Sequence, residues 1–223
     1  MEHKIDLEHW NRRELFEFFG GVSNPYYMVT FRQDVTKLYH YVKQHGLSFY
    51  YTLIYCCTRA LNQVEAFRYT IRRGTVYQLE ERMPSFTDLK KGSEQFHIVT
   101  MPCCGTAEEF SRAARIRSEN QQKFIDQELE TDGLIYFSCL PWVDVTAITN
   151  ERDFQAPNAR DDSIPRLAWG KYNVIGERVE LGISIEVNHR LIDGLHIGQF
   201  AQALTEQMER LGEEPAPQTD WSL

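Results

Sequence analysis

The chain has little of what would mark it as secreted, membrane-spanning or nucleic-acid-binding. Its 223 residues include five cysteines, Cys56, Cys57, Cys103, Cys104 and Cys139. An odd count with two adjacent pairs does not make the disulfide framework of a small secreted domain. The pairs also lack His or Cys partners at the spacing a zinc site needs, so no metal is expected. There is no run of 18 apolar residues, which argues against a spanning helix. Met1-Glu-His-Lys-Ile-Asp-Leu7 has no apolar signal core. The expectation is a cytoplasmic protein with reduced thiols and no membrane partner. Basic charge is short as well: 24 Lys and Arg stand against 32 Asp and Glu, a net −8. A general nucleic-acid binder needs a basic face that this balance does not supply, although a local basic pocket for a phosphorylated cofactor is compatible with it. Repeats, linkers and low-complexity blocks are absent, so nothing divides the chain.

What is present is apolar patterning, with 42% hydrophobic and 13% aromatic residues, enough for a substantial core. Leu7, Trp10, Leu15, Phe16, Phe18 and Phe19 share a helical period over 7–19 that Gly20 and Gly21 should end. Tyr26–Arg32 is β-rich. Helices are predicted over Val35–Gln44, stopped by Gly46, and over Phe49–Val64, with Cys56 and Cys57 in its apolar run. Tyr69–Leu79 reads as a hairpin turning at Arg73 and Gly74. Strands follow at Phe86–Leu89, Phe96–Met101 and Leu134–Leu140, with a polar helix over Ala107–Gln127 between them. Asn150–Pro165 is an aperiodic loop. Trp169–Val174 and Val179–Val187 are strands around Gly176, and Ile197–Leu211 is the last helix. The pattern predicts one α/β domain over residues 1–211, a mixed sheet with helices packed on it. Residues 212–223, with Pro215 and Pro217, are expected to be a loosely ordered tail.

The segment with the most chemical content is Ile185-Glu-Val-Asn-His-Arg-Leu-Ile-Asp-Gly-Leu-His-Ile-Gly198. His189 comes four residues before Asp193 and Gly194, where a strand gives way to a turn. A histidine there can face a cavity and take a proton near neutral pH. A lone histidine beside a strand is more often structural, so the surrounding chain has to decide.

The arrangement resembles the His-His-x-x-x-Asp-Gly motif of the chloramphenicol acetyltransferase family, shared with dihydrolipoyl acyltransferases. Asn188 stands at the first motif position and His189 at the second. Further segments resemble that family in the same order: Trp10-Asn-Arg-Arg-Glu-Leu-Phe-Glu-Phe18, Pro84-Ser-Phe-Thr87, Ala107-Glu-Glu-Phe-Ser111, Ser138-Cys-Leu-Pro-Trp142 and Gly170-Lys-Tyr172. The resemblance covers nearly the whole chain. It implies a two-layer α/β sandwich, assembled as a homotrimer with active sites between subunits. It also implies transfer of an acetyl group from acetyl-CoA to a hydroxyl of chloramphenicol or a similar small acceptor.

The same resemblance assigns roles. His189 would be the general base, and Ser138 would donate to the oxyanion. Asp193 and Arg12 would pair to support the turn that carries His189, rather than move protons. Arg13 is then the solvent-exposed neighbour. Lys171 corresponds to a lysine near the CoA channel. Phe18, Phe19, Tyr26, Leu89, Ile148 and Ala168 fall near positions lining an aromatic acceptor pocket. Aromatics at helical spacing are commonly core, and some of these are expected there. Two departures remove polar groups from the acceptor side: Ala168 stands where the family has a threonine, and Phe19 where a tyrosine is usual. They put chloramphenicol itself in doubt as acceptor. Two rivals stay open. One is a catalytically weak relative that binds a CoA ester or small ligand. The other is a serine hydrolase built on Ser138, His189 and Asp193, although Ser138 lacks a Gly-x-Ser-x-Gly elbow.

Overall fold

The computed structural model describes residues 2–90 and 92–213, so the expected tail lies, beyond Glu213, outside the described residues. In chain order the elements are β1 (His3–Lys4), α1 (Arg13–Gly21), β2 (Tyr26–Asp34), α2 (Thr36–His45), α3 (Phe49–Gln63), β3 (Tyr69–Arg72), β4 (Thr75–Gln78), β5 (Met83–Leu89), β6 (Phe96–Thr100), α4 (Ala107–Asn120), β7 (Leu134–Cys139), β8 (Arg166–Trp169), β9 (Asn173–Ile175), β10 (Arg178–Asn188) and α5 (Gly194–Glu209). The large mixed sheet runs β2-β10-β8-β7-β5-β6, with β9 also on β10, and a small sheet runs β1-β4-β3. The β5–β7 and β7–β8 pairs are parallel. The remaining pairs of the large sheet are antiparallel.

Helix α3 is the centre of the helical layer. Leu53, Ile54, Cys56, Cys57, Ala60 and Leu61 are all 0% exposed, and the helix packs on α4, α5, β5 and β7. A helix apolar around most of its surface is stable only inside such a layer. The β3–β4 hairpin turns at Arg73 and Gly74, whose φ angles of 52° and 74° are the left-handed pair a two-residue turn needs. No described helix is long and apolar enough to cross a membrane. The described residues hold no cluster of three or more His, Cys, Asp or Glu that could bind a metal ion.

Three expected elements differ from the pattern, each through a long-range contact. Helix α1 begins at Arg13 rather than Leu7, because Trp10 packs edge-on against Phe16 and Tyr69 from a turn. It runs through Gly20 and Gly21 instead of stopping before them. Arg160 donates to the carbonyls of Gly20 and Val22 and so satisfies the end of the helix. Helix α4 stops at Asn120 rather than Gln127. The chain then turns so that Gln121 Nε2 donates to the Ile98 carbonyl (2.7 Å) and Ile98 N–H donates to the Phe124 carbonyl (2.7 Å), covering the free edge of β6. The strand expected over Trp169–Val174 is broken into β8 and β9 at Gly170. A Cβ there would sit 2.4 Å from the Val143 carbonyl, so only glycine lets the 143–145 segment cross.

One buried cation ties the layers together. Arg82, 1% exposed, donates to five carbonyls, those of Phe67, Tyr69, Asp132, Leu134 and Ser163. No carboxylate of the described residues pairs with it directly, and burial pulls its guanidinium down to about 10.

Candidate active site

Strand β10 delivers His189. Its backbone N–H donates to the Pro25 carbonyl (2.7 Å), which closes the turn against the start of β2. Arg12, in the turn before α1, then clamps the segment from the other side. Its Nη2 donates to the His189 carbonyl (3.0 Å), Nε to the Arg190 carbonyl (3.0 Å), and Nη1 to Asp193 Oδ2 (2.6 Å). All three donors point at one turn, which uses the planar fork of arginine in a way a lysine cannot. Asp193 caps α5: Oδ1 accepts from Leu195 N–H (3.1 Å), and its own N–H donates to His196 Nδ1 (3.1 Å). Burial raises the Asp193 carboxyl, but the Arg12 hydrogen bond and the charges of His196 and Arg12 outweigh it, leaving it below the usual range.

The His189 ring lies between two aromatic rings. Phe19 stacks on it at 3.8 Å and 22°, and Tyr27 lies at 4.1 Å and 32°. Burial, then the charge of Arg12, pull its pKa below the ordinary histidine value, with Asp193 opposing. The ring is therefore neutral near pH 7 and able to accept a proton. Among the described residues, no side chain hydrogen-bonds to it. Burial pushes the neighbouring Tyr27 hydroxyl up to about 12, and that hydroxyl also has no partner among the described residues.

Asn188, at the first motif position, is 2% exposed and fully used. Its amide donates to the carbonyls of Arg160 (2.9 Å) and Asp162 (3.1 Å), and its Oδ1 accepts from Arg190 N–H (3.1 Å). Arg190 continues outward to Asp161 (2.8 Å) and lies over the Phe16 ring at 4.0 Å. Nothing in the sequence pattern foretold that the 160–162 segment is pinned from beneath the histidine.

Ser138 lies near the end of β7, half-buried and with no hydrogen-bond partner for its hydroxyl among the described residues. It lines a cavity of about 950 Å³ together with Tyr50, Tyr51, Asp88, Leu89 and Trp142. Across the sheet, Ser138 is in register with Ala168, Ala168 with Ser184, and Ser184 with Thr30. Register partners share a face, so a polar row is interrupted only by the Ala168 methyl. Ser184 Oγ joins Thr30 Oγ1 (2.9 Å) and accepts from Ile148 N–H (3.0 Å).

The other sequence candidates are spread between these two places. Phe19 is at the histidine, and Phe18 is beside it, 67% exposed. Tyr26 hydrogen-bonds the Ala159 carbonyl and lies beneath the Arg152 guanidinium, 3.6 Å from its ring centre. Leu89 is in the Ser138 cavity. Ile148 is held by Ser184. Ala168 is 0% exposed in this chain. Lys171 is exposed, with its N–H on the Val143 carbonyl (2.8 Å) beside the Gly170 crossing. Arg13 pairs with Glu17 on the surface (2.8 Å), as expected of it.

His189 and Ser138 do not meet within one chain. Ser138 is level with Ser184 two strands away, and His189 is five residues further along β10. At 3.3 Å per residue and 4.8 Å per strand, the two are roughly 19 Å apart. Missing from the sequence reading, but present in the Ser138 cavity, is a polar cluster of Tyr51, Asp88, His97 and Ser118. Asp88 there bonds the serine rather than the histidine, which is not the wiring of a triad.

Comparison with known proteins places this geometry. The family model described as chloramphenicol acetyltransferase matches residues 1–205. Chloramphenicol acetyltransferase 3 of Escherichia coli is 26% identical over 91% of this chain and 95% of its own length. The chloramphenicol acetyltransferase of Clostridium perfringens is 29% identical over 94% of this chain and 98% of its own. A solved chloramphenicol acetyltransferase superposes with a TM-score of 0.82 at 26% identity, covering 93% of this chain and all of that one. The cubic core of the pyruvate dehydrogenase multienzyme complex shares the fold, with a TM-score of 0.62 at 16% identity over 87% of this chain and 84% of its own.

Proposed function

The chain belongs to the chloramphenicol acetyltransferase family, and from that premise we propose that it moves an acetyl group from acetyl-CoA directly to a hydroxyl of chloramphenicol or a similar small acceptor. His189 takes the proton of the acceptor hydroxyl as its oxygen attacks the thioester carbonyl. An alcohol is too weak a nucleophile without such a base. The tetrahedral oxyanion accepts a hydrogen bond from the Ser138 hydroxyl, a donor worth ~3 kcal/mol in the transition state. Collapse breaks the carbon–sulfur bond, and the CoA thiolate leaves with the proton that His189 had taken. No acyl-enzyme forms. Lys171 is the candidate contact for an anionic part of CoA.

The observation that carries this reading is the division of labour at the turn. Asp193 gives one carboxylate oxygen to Arg12 and the other to the helix amide, so it orients the turn and not the ring. That favours a lone histidine base over a hydrolase triad. The weaker reading, a CoA-ester binder without turnover, draws on Ala168, whose methyl interrupts the polar row beside Ser138. Thiol release from acetyl-CoA separates the three: the transferase needs an acceptor hydroxyl, the hydrolase does not, and the binder releases none.

The separation of roughly 19 Å between His189 and Ser138 supports a site shared by two chains. A heterologous contact of that kind closes most simply as a ring, here a homotrimer. Inactive His189→Ala and Ser138→Ala chains, refolded together, should then regain part of the activity. No recovery in verified mixed trimers would mean that one chain holds the whole site.

A further inference from the structure

The cavity that holds Ser138, lined also by Lys90 and Arg115, holds a carboxylate that forms no ion pair among the described residues of the chain. Its apolar wall is made by Tyr50, Leu89, Phe96, Pro141 and Trp142. Into that wall is set Asp88, at the end of β5 and only partly exposed. Its Oδ2 accepts from the Tyr51 hydroxyl (2.5 Å) and from Ser118 Oγ (2.5 Å), while Oδ1 accepts only from the adjacent Leu89 N–H (3.0 Å). The two hydroxyls come from α3 and α4, so the carboxylate is fixed from two sides. A carboxylate has about four acceptor sites, and Oδ1 keeps one free.

Elsewhere in the molecule, partly buried aspartates are paired with a cation: Asp126 with Lys123, Asp132 with Arg72, Asp161 with Arg190, Asp162 with Arg152 and Arg166, and Asp193 with Arg12. Among the described residues, no Lys, Arg or His is within ion-pair distance of Asp88. Lys90, on the same cavity, donates to the Gln122 carbonyl instead (3.3 Å). The hydrogen bonds also settle the role of His97. Ser118 gives its only hydrogen to Asp88, so it accepts from His97 Nε2 at 2.9 Å. Burial keeps that ring neutral, with its pKa below the ordinary value, and it brings no positive charge.

We propose that Asp88 is a specificity-determining residue, and that the hydroxyl compound acetylated beside Ser138 carries a protonated amine that pairs with the Asp88 carboxylate. The inference rests on the reading of Ser138 as part of an acetyl-transfer site. It narrows the acceptor from any small hydroxyl compound to an amino alcohol with an apolar or aromatic body.

A matched pair of probes tests this: chloramphenicol, which is a neutral amide, and the amine left when its dichloroacetyl group is removed. The two share an aromatic ring and both hydroxyls. Affinities are read by calorimetry at pH 7, without turnover. The wild-type protein should bind the amine about 10- to 100-fold more tightly than the amide, as a charge-assisted hydrogen bond provides. Asp88→Asn, which keeps the side chain's shape, should lose at least tenfold of that preference. In the wild-type protein alone, the preference should also shrink once the pH passes the pKa of the amine, so the test survives a variant that does not fold. Equal affinities, a preference for the amide, no measurable binding of either probe, or an unchanged preference in Asp88→Asn would overturn the inference and leave Asp88 as a tie between β5, α3 and α4. An amine preference without thiol release would instead sink the acetyl-transfer reading and spare this one.

Discussion

At the His189 turn the backbone is tied on both sides, and the ring is stacked between two aromatics. At the Ser138 end, the hydroxyl stands in an open cavity without a partner. The two regions are built from one sheet and differ in what is held rigid. A base must be aimed, and it must be kept neutral until it acts, so the protein spends Arg12, Asp193, Asn188 and Pro25 on its backbone and leaves the ring nitrogens free. An oxyanion donor needs only a fixed Cα and an uncommitted O–H, and a paired central strand supplies both.

The sharpest way to break this comparison is at the base. His189→Ala should lower acetyl transfer by at least ~10²-fold while leaving the circular dichroism and melting profile near those of the parent. Near-normal turnover would remove His189 from the chemistry. Ser138→Ala should cost roughly 10²-fold in kcat with KM for acetyl-CoA little changed, because the donor acts on charge that develops only in the transition state. If KM rises and kcat holds, Ser138 is a binding residue and the two ends are not parts of one reaction.

Next in size is the clamp. Arg12→Ala and Asp193→Asn should each cost about 1–3 kcal/mol of stability, read as a fall of several degrees in Tm. Both should lower activity as well. The double variant should be far less than additive, since the two side chains meet at 2.6 Å. Additive losses would show that each supports the turn separately.

The smallest effect is in pH. The depressed pKa of His189 predicts that kcat/KM is flat around pH 7 to 8 and falls on the acid side, with its inflection below the ordinary histidine value of about 6.5. Stability should follow the same direction. His97, His189 and His196 are all depressed in the folded state, mainly by burial, so the unfolded chain binds protons first. Their contribution is present above about pH 6.5 and is lost as the pH falls toward the folded values. A Tm that rises on acidification through that window would contradict the burial of these rings.

The parts legible in the sequence were those written in local pattern: the strand leading to His189, the Arg73–Gly74 hairpin, and the apolar helix with Cys56 and Cys57. The Arg12–Asp193 contact was legible only through the family resemblance, because 181 positions separate the two residues. What stayed hidden was set by contacts between distant segments. The Gly170 break depends on the 143–145 crossing, and the end of α4 depends on covering β6. Tyr51, Asp88, His97 and Ser118 share no spacing that a reader could recognise, and they become a cluster only when α3, α4, β5 and β6 come together. A hint was available: a charged residue between Thr87 and Leu89, inside a strand otherwise suited to burial.

Arg82 has a consequence for how the molecule comes apart. Its five carbonyl partners belong to segments around residues 67–69, 132–134 and 163, and Thr70, which bonds both Asp132 and Ser163, joins the same three. A guanidinium leaves water at great cost unless its donors are met. It therefore cannot be half-buried while one of those segments is still absent. Local openings at the small sheet, at the start of β7 and in the loop before β8 are thereby joined into one event. Amide hydrogens in the three segments should exchange with a common opening free energy, as one cooperative unit that spans nearly a hundred positions of chain.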